Sequence, residues 1–240
     1  MSSLNLNFSP AECQEILTGL APDAVGLDLN LPSETRLSVG NASPWPRAQV
    51  TTKEVIRVFT DGSCLNNGKK NSTGGIGIHF PDGQFSDVSL PYHGHLIHDD
   101  DSSLPHGDED RGKITNQRAE LTAIHHALQI VTHEADAAGD RRDLRNVEVH
   151  LYTDSAYAIN SLTNWCYTWK TNNWKTSNGK PVKNRHLIES LLGMMKRVRV
   201  TFFHAEAHTD RTDERSLGNA RADFLATQAT KQGVVKRMKK

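Results

Sequence analysis

From Val55 onward, apolar and polar residues alternate with the periods of strands and helices. Val55 to Phe59 is β-forming and apolar, and Asp61-Gly62 follows, so the pattern predicts a buried strand stopped at that dipeptide. Gly74 to Phe80 alternates small and apolar side chains, Pro81-Asp82-Gly83 is a turn sequence, and the pattern returns from Phe85 to Leu90. That predicts a β-hairpin. Residues 91–112, rich in His, Asp and Gly, predict a surface loop, with His93, His95, His98 and His106 read as solvated rather than metal-binding. Thr115 opens a helix in which Leu121, Ile124, Ala127, Leu128 and Val131 recur at helical spacing. Val147 to Thr153 predicts a second core strand, followed by a helix from Ser155 to Leu162 capped by Asp154 or Ser155. A helix from about Asn184 to Lys196, a strand from Val198 to Phe203 and a last helix from about Gly218 to Thr230 complete an α/β domain.

The ends read differently. Residues 1–50 predict an extension, with a short helix capped by Ser9 and started by Pro10, then an irregular stretch around Pro32, Pro44 and Pro46. Residues 233–240 predict a disordered basic tail.

Charge and cysteine content add little globally and more locally. The 240 residues carry a formal net charge of zero, which points to no polyanion by itself. Between Trp165 and Val200, however, eight Lys and Arg face one acid, Glu189, while His98 to Asp110 holds six acids and no Lys or Arg. Three widely spaced cysteines support neither a disulfide framework nor a cysteine zinc site, and favour a reducing compartment. No run suits a membrane helix, the first residues lack the form of a secretory signal, and the scarcity of Arg before Arg36 argues against a mitochondrial transit peptide. An intracellular protein of nucleus or cytoplasm is expected, with an organelle left open.

Candidate chemistry comes from two stretches of the same form. Phe59-Thr60-Asp61 and Tyr152-Thr153-Asp154 each run from apolar strand into Thr-Asp. Adjacent strands ending so would set two carboxylates side by side, where they repel unless a cation lies between them. Glu120 sits on or beside the buried face of its helix, a costly place for a carboxylate unless paired or cation-bound. A rim salt bridge to Arg118 is the plainer reading; with Asp61 and Asp154 nearby, the cation is preferred. Trp165, Trp169 and Trp174, interleaved with Lys170, Lys175, Lys180 and Lys183, read as an exposed basic aromatic surface suited to a phosphate backbone.

These residues resemble type 1 ribonuclease H. Thr60-Asp61-Gly62-Ser63-Cys64, Thr115-Asn116-Gln117-Arg118-Ala119-Glu120-Leu121, Tyr152-Thr153-Asp154-Ser155 and Gly218-Asn219-Ala220-Arg221-Ala222-Asp223 occur in that family's order and context, and Trp165 to Asn184 resembles its basic protrusion. The resemblance covers about Val55 to Gln228. It implies a ribonuclease H-like fold, a five-stranded mixed β-sheet flanked by helices, with the catalytic domain at 51–232. It implies metal-binding carboxylates at Asp61, Glu120, Asp154 and Asp223, and a mobile general acid/base at His208, with His204 as the alternative. Ser63, Asn67, Thr115, Asn116 and Gln117 would meet substrate, and Trp169, Lys170, Trp174, Lys175 and Lys183 would hold the DNA strand. Ala156 stands where some relatives carry a polar side chain, and the small hybrid-binding domain of many eukaryotic members is not visible in residues 1–50. The implied activity is endonucleolytic cutting of the RNA strand of RNA/DNA hybrids, leaving 5′-phosphate and 3′-hydroxyl ends, by a monomer using two Mg²⁺ ions for which Mn²⁺ can substitute. Oxygen ligands suit such hard ions, and a paired-metal site can activate water and stabilise the leaving oxygen. A hybrid-binding module without turnover would gain nothing from four clustered carboxylates. A DNA exonuclease or integrase-like enzyme of the wider fold would lack the Asn-Gln-Arg-x-Glu helix start and the Trp/Lys protrusion.

Overall fold

The computed structural model describes residues 54–94, 112–137, 144–205 and 212–238. The expected helix near Ser9, most of the 91–112 loop and His208 lie outside these residues.

Five strands, β1 (Glu54–Leu65), β2 (Thr73–His79), β3 (Val88–Tyr92), β4 (Val147–Thr153) and β5 (Arg199–His204), form one sheet in the order β3-β2-β1-β4-β5. The first three are antiparallel neighbours, whereas β4 pairs parallel with both β1 and β5, so the sheet is mixed. Parallel pairing needs a crossover, which α1 (Asn116–Ala137) supplies between the hairpin and β4. Beyond β4 the chain runs through α2 (Ala156–Asn160), a wider π turn at Ser161–Trp165, α3 (Cys166–Thr171) and α4 (Arg185–Met194). After β5 comes α5 (Glu214–Met238).

Strand alternation sorts the core into two layers. Ile56, Val58, Val149 and Leu151 point to one face, where Leu121, Ile124 and Leu128 of α1 and Ile188 and Leu191 of α4 bury them completely. Each such side chain stabilises the fold by roughly 1.5–3 kcal/mol relative to exposure. On the opposite face Phe59, Tyr152 and Phe203 stack in a row, with ring centroids 4.5 and 4.8 Å apart. Here α5 lies directly on the backbone of β2. A Cβ on Gly77 would fall 2.0 Å from Ala222 O, and one on Gly75 2.3 Å from Ala226 O. Arg57 of β1 ties this face together by pairing with Asp82 in the hairpin turn and with Glu214 at the start of α5.

Four elements differ from the expectations. Asp61-Gly62 does not stop β1: pairing with β2 continues from Phe59↔His79 to Leu65↔Thr73, while pairing with β4 ends at Phe59↔Tyr152. An antiparallel partner on one side keeps the backbone extended where local turn preference alone would break it. The helix after Asp154 is capped by Ser155, whose hydroxyl accepts from Ala158 N at 3.3 Å, and continues past Leu162 through the π turn. The last helix starts earlier than Gly218, because Asp213 Oδ1 accepts from the backbone N–H groups of Arg215 and Ser216, and it stays helical to Met238 instead of fraying at 233. Trp174 is buried, 7 % exposed, and Trp169 packs against the same core. The three rings form a ladder, with centroids 5.7 and 6.1 Å apart, that runs from the core at Trp174 through the half-buried Trp169 to Trp165, which stays exposed as expected, as do Lys175, Lys180 and Lys183.

Candidate active site

The site forms where β4 ends and β1 continues. Extending the parallel register two residues beyond Phe59↔Tyr152 brings Asp61 level with Asp154. Asp61 lies opposite Gly77 in the antiparallel ladder, so its side chain shares the face that α5 covers. Glu120 comes from the other face, in the second turn of α1. The helix approaches so closely that a Cβ on Gly62 would fall 2.2 Å from Glu120 N. With β4 gone at this level, the Gly62 N–H turns to Glu120 and donates to its Oε2 at 3.1 Å. Asn116 Nδ2 donates to Oε1 at 3.4 Å.

One oxygen from each of Asp61, Glu120 and Asp154 lies within 4.8 Å of the other two. Asp61 is 6 % and Glu120 5 % exposed; Asp154 is half-buried. Burial pushes the Asp61 carboxyl up to about 7, and the charges of Asp154 and Asp223 push the same way against the Gly62 N–H. Glu120 is raised well above the usual carboxylate range by burial first, then by Asp61 and Asp154. Asp223, half-buried on α5, stands outside the close triad, yet its charge raises both groups. Crowded, partly desolvated carboxylates of this kind favour a proton or a divalent cation, and an all-oxygen donor set suits Mg²⁺ or Mn²⁺. The residues present fit that group.

Arg118 does not serve as the rim partner of Glu120. Its guanidinium turns to Tyr92, Gly94 and Asn184. His204 is exposed, with Nε2 3.2 Å from Asp154 O, so it is engaged with the backbone at the end of β4. Around Glu120, the substrate-side residues form a pinned rim. Asn67 Oδ1 accepts from Asn116 N at 3.0 Å, and Gly68 N donates to Ile114 O at 3.1 Å. Thr115 Oγ1 caps α1 by accepting from Arg118 N at 3.3 Å. Gln117 is exposed, and Ser63 is half-buried two residues beyond Asp61. Sequence reasoning missed the polar set formed by the buried Tyr92, Arg118 and Asn184 and the half-buried Tyr157. Its one visible signal was Arg118 one turn before the core residue Leu121 on the same helix.

Fold and site together define a class, an α/β domain with an acidic cluster at the ends of its central strands. A family model for RNase H matches residues 53–231. The probable ribonuclease H of Acanthamoeba polyphaga mimivirus is 36% identical over 180 residues, 75% of this chain and 68% of that protein. Ribonuclease H1 of Homo sapiens is 32% identical over 75% of this chain and 51% of its own length, so the chain spans about half of that relative. Ribonuclease H of Clostridium botulinum is 32% identical over 74% of this chain and 95% of that protein. Among solved structures, LC9-RNase H1, a type 1 RNase H, superposes with a TM-score of 0.51 at 21% identity, covering 75% of this chain and 74% of that one. A foamy viral protease-reverse transcriptase solved with dsDNA gives 0.50 at 20% identity, covering 75% and 96%; both share the fold. The chain belongs to the RNase H family of enzymes, on its type 1 branch.

Proposed function

We propose that residues 51–232 form an endonuclease domain that hydrolyses the RNA strand of RNA/DNA hybrids and leaves 5′-phosphate and 3′-hydroxyl ends. The observation that carries this reading is the triad of the buried Asp61 and Glu120 with the half-buried Asp154, mutually within 4.8 Å, in a chain of the RNase H family. Asp61, Glu120, Asp154 and Asp223 would hold two Mg²⁺ ions, for which Mn²⁺ can substitute. When bound, such ions supply an activated water and neutralise charge on the phosphate and the leaving oxygen.

The chain's own residues do the rest. The Gly62 N–H and Asn116 amide hold the Glu120 carboxylate in one orientation. The Asn67–Asn116 link and the Thr115 cap keep the rim rigid, with Ser63, Asn116 and Gln117 presented to the RNA strand, where 2′-hydroxyls identify RNA. The exposed Lys175 and Lys183, with Lys170, hold the DNA backbone electrostatically. Trp169 and Trp174 support that surface from beneath. His208 would move a proton on the leaving-group side, since an imidazole can both take up and release one. The protein is proposed to act as an intracellular monomer, in nucleus or cytoplasm, with an organelle left open. Among the described residues no helix is long and apolar enough to cross a membrane.

The test incubates the full chain with end-labelled RNA/DNA hybrid, single-stranded RNA, duplex RNA and duplex DNA, with Mg²⁺ or with chelator. Mg²⁺-dependent cutting of the RNA strand of the hybrid alone is expected. Tight hybrid binding without cutting in either Mg²⁺ or Mn²⁺ would replace the proposal with that of a binding module.

A further inference from the structure

The reaction proposed above makes no use of Arg118, a guanidinium only 5 % exposed. It lies in α1 two residues before Glu120. Its Nε donates to Tyr92 Oη at 3.2 Å, one terminal nitrogen to Asn184 Oδ1 at 3.3 Å and the other to Gly94 O at 3.4 Å. Tyr92 closes the edge strand β3. Asn184 follows Lys183 at the end of the basic protrusion and holds a left-handed backbone, φ 58°, at the entry to α4. Asn184 is itself 4 % exposed. Its Nδ2 donates to Tyr157 Oη at 3.0 Å, and Tyr157 sits in α2, which begins just after Asp154. The amide of Asn184 is thus held at both ends, its oxygen by the helix that carries Glu120 and its nitrogen by the helix that follows Asp154.

We infer that Arg118 is a positioning residue that locks the base of the Trp/Lys protrusion to the two helices framing the carboxylates. Three donors in a planar fork suit this task, because a single side chain ties two separate segments, the end of β3 at Tyr92 and Gly94 and the entry to α4 at Asn184, to α1 in fixed directions. A flexible ammonium could not hold all three at once. The register between Lys183 and the carboxylate cluster then depends on Arg118, although it meets neither phosphate nor metal. The inference rests on the reading of the protrusion as the surface that holds the DNA strand.

Two measurements on the full chain test it, using Arg118→Gln and Arg118→Lys. In amide hydrogen exchange without nucleic acid, both variants should exchange about tenfold faster across residues 174–188 while β1 and β4 stay protected. In steady-state cleavage of a hybrid, KM should rise about tenfold with kcat within about twofold, the mark of lost uniform binding. Unchanged exchange over 174–188, a fall in kcat with KM unchanged, or wild-type behaviour of Arg118→Lys would each overturn the inference. Should both variants unfold, Tyr157→Phe takes their place: it removes the outer hydrogen bond of Asn184 and should move both readouts in the same direction by about threefold. Its behaving as wild type would likewise overturn the lock. A wild-type protein that cut no hybrid would sink the functional reading, and the exchange measurement would still decide whether Arg118 holds the protrusion.

Discussion

Asp61→Asn should stabilise the metal-free protein while removing its activity. The carboxyl is raised from 3.8 to about 7 by burial and by the charges of Asp154 and Asp223. A folded state that takes up a proton more readily than the unfolded chain is favoured at low pH, so this contribution is fully present below about pH 4 and lost as pH rises through about 7. About three pH units at about 1.4 kcal/mol each set a ceiling on the order of 4 kcal/mol. With Asp61 only 6 % exposed, solvent screening reduces that figure little. Asparagine keeps the size and the polar group but never ionises. In chelator, wild type and variant should therefore match near pH 4, and the variant should be the more stable by roughly 1–4 kcal/mol at pH 8. Glu120 leaves the variant a shallower slope of the same sign. The assay is urea unfolding followed by tryptophan fluorescence, with the buried Trp174 as a reporter, across pH 4 to 8. Saturating Mg²⁺ should reverse the order, since only the intact carboxylate set binds the ion strongly to the native state. Parallel stability curves for the two proteins in chelator would refute the idea that Asp61 is held against electrostatic repulsion.

Asp154→Asn should abolish cleavage with the fold retained; wild-type turnover would remove Asp154 from the metal set. His208→Ala should slow cleavage without ending it, and an equal or larger loss from His204→Ala would transfer the role to the histidine on Asp154 O. Gly62→Ala should lower stability by roughly 1–3 kcal/mol, because its Cβ would meet the α1 backbone at 2.2 Å, and a urea midpoint equal to wild type would contradict that packing. Neutralising Lys175 and Lys183 should leave stability intact, raise KM and flatten its salt dependence; an unchanged salt slope would take the protrusion off the binding face.

What the sequence determined by itself is local. Strand and helix periods placed β2, β4 and the starts of β1 and α1 within a residue or so, because each buries one face and its pattern shows that face directly. Paired Thr-Asp strand ends and a Glu on a buried helix face marked Asp61, Asp154 and Glu120, because a carboxylate where an apolar residue belongs is costly without a partner. Tertiary structure decided what depends on distant neighbours. Asp61-Gly62 reads as a turn until β2 extends it, since ladder hydrogen bonds come from another strand. Three tryptophans among lysines read as surface, which holds for Trp165, but the chain reverses at Asn173 and Trp174, both at φ 56°, and the Trp174 ring is buried. Arg118 had an acid two residues away in sequence and found its partners in Tyr92, Gly94 and Asn184, because on a helix direction is set by the turn and reach by what packs against it.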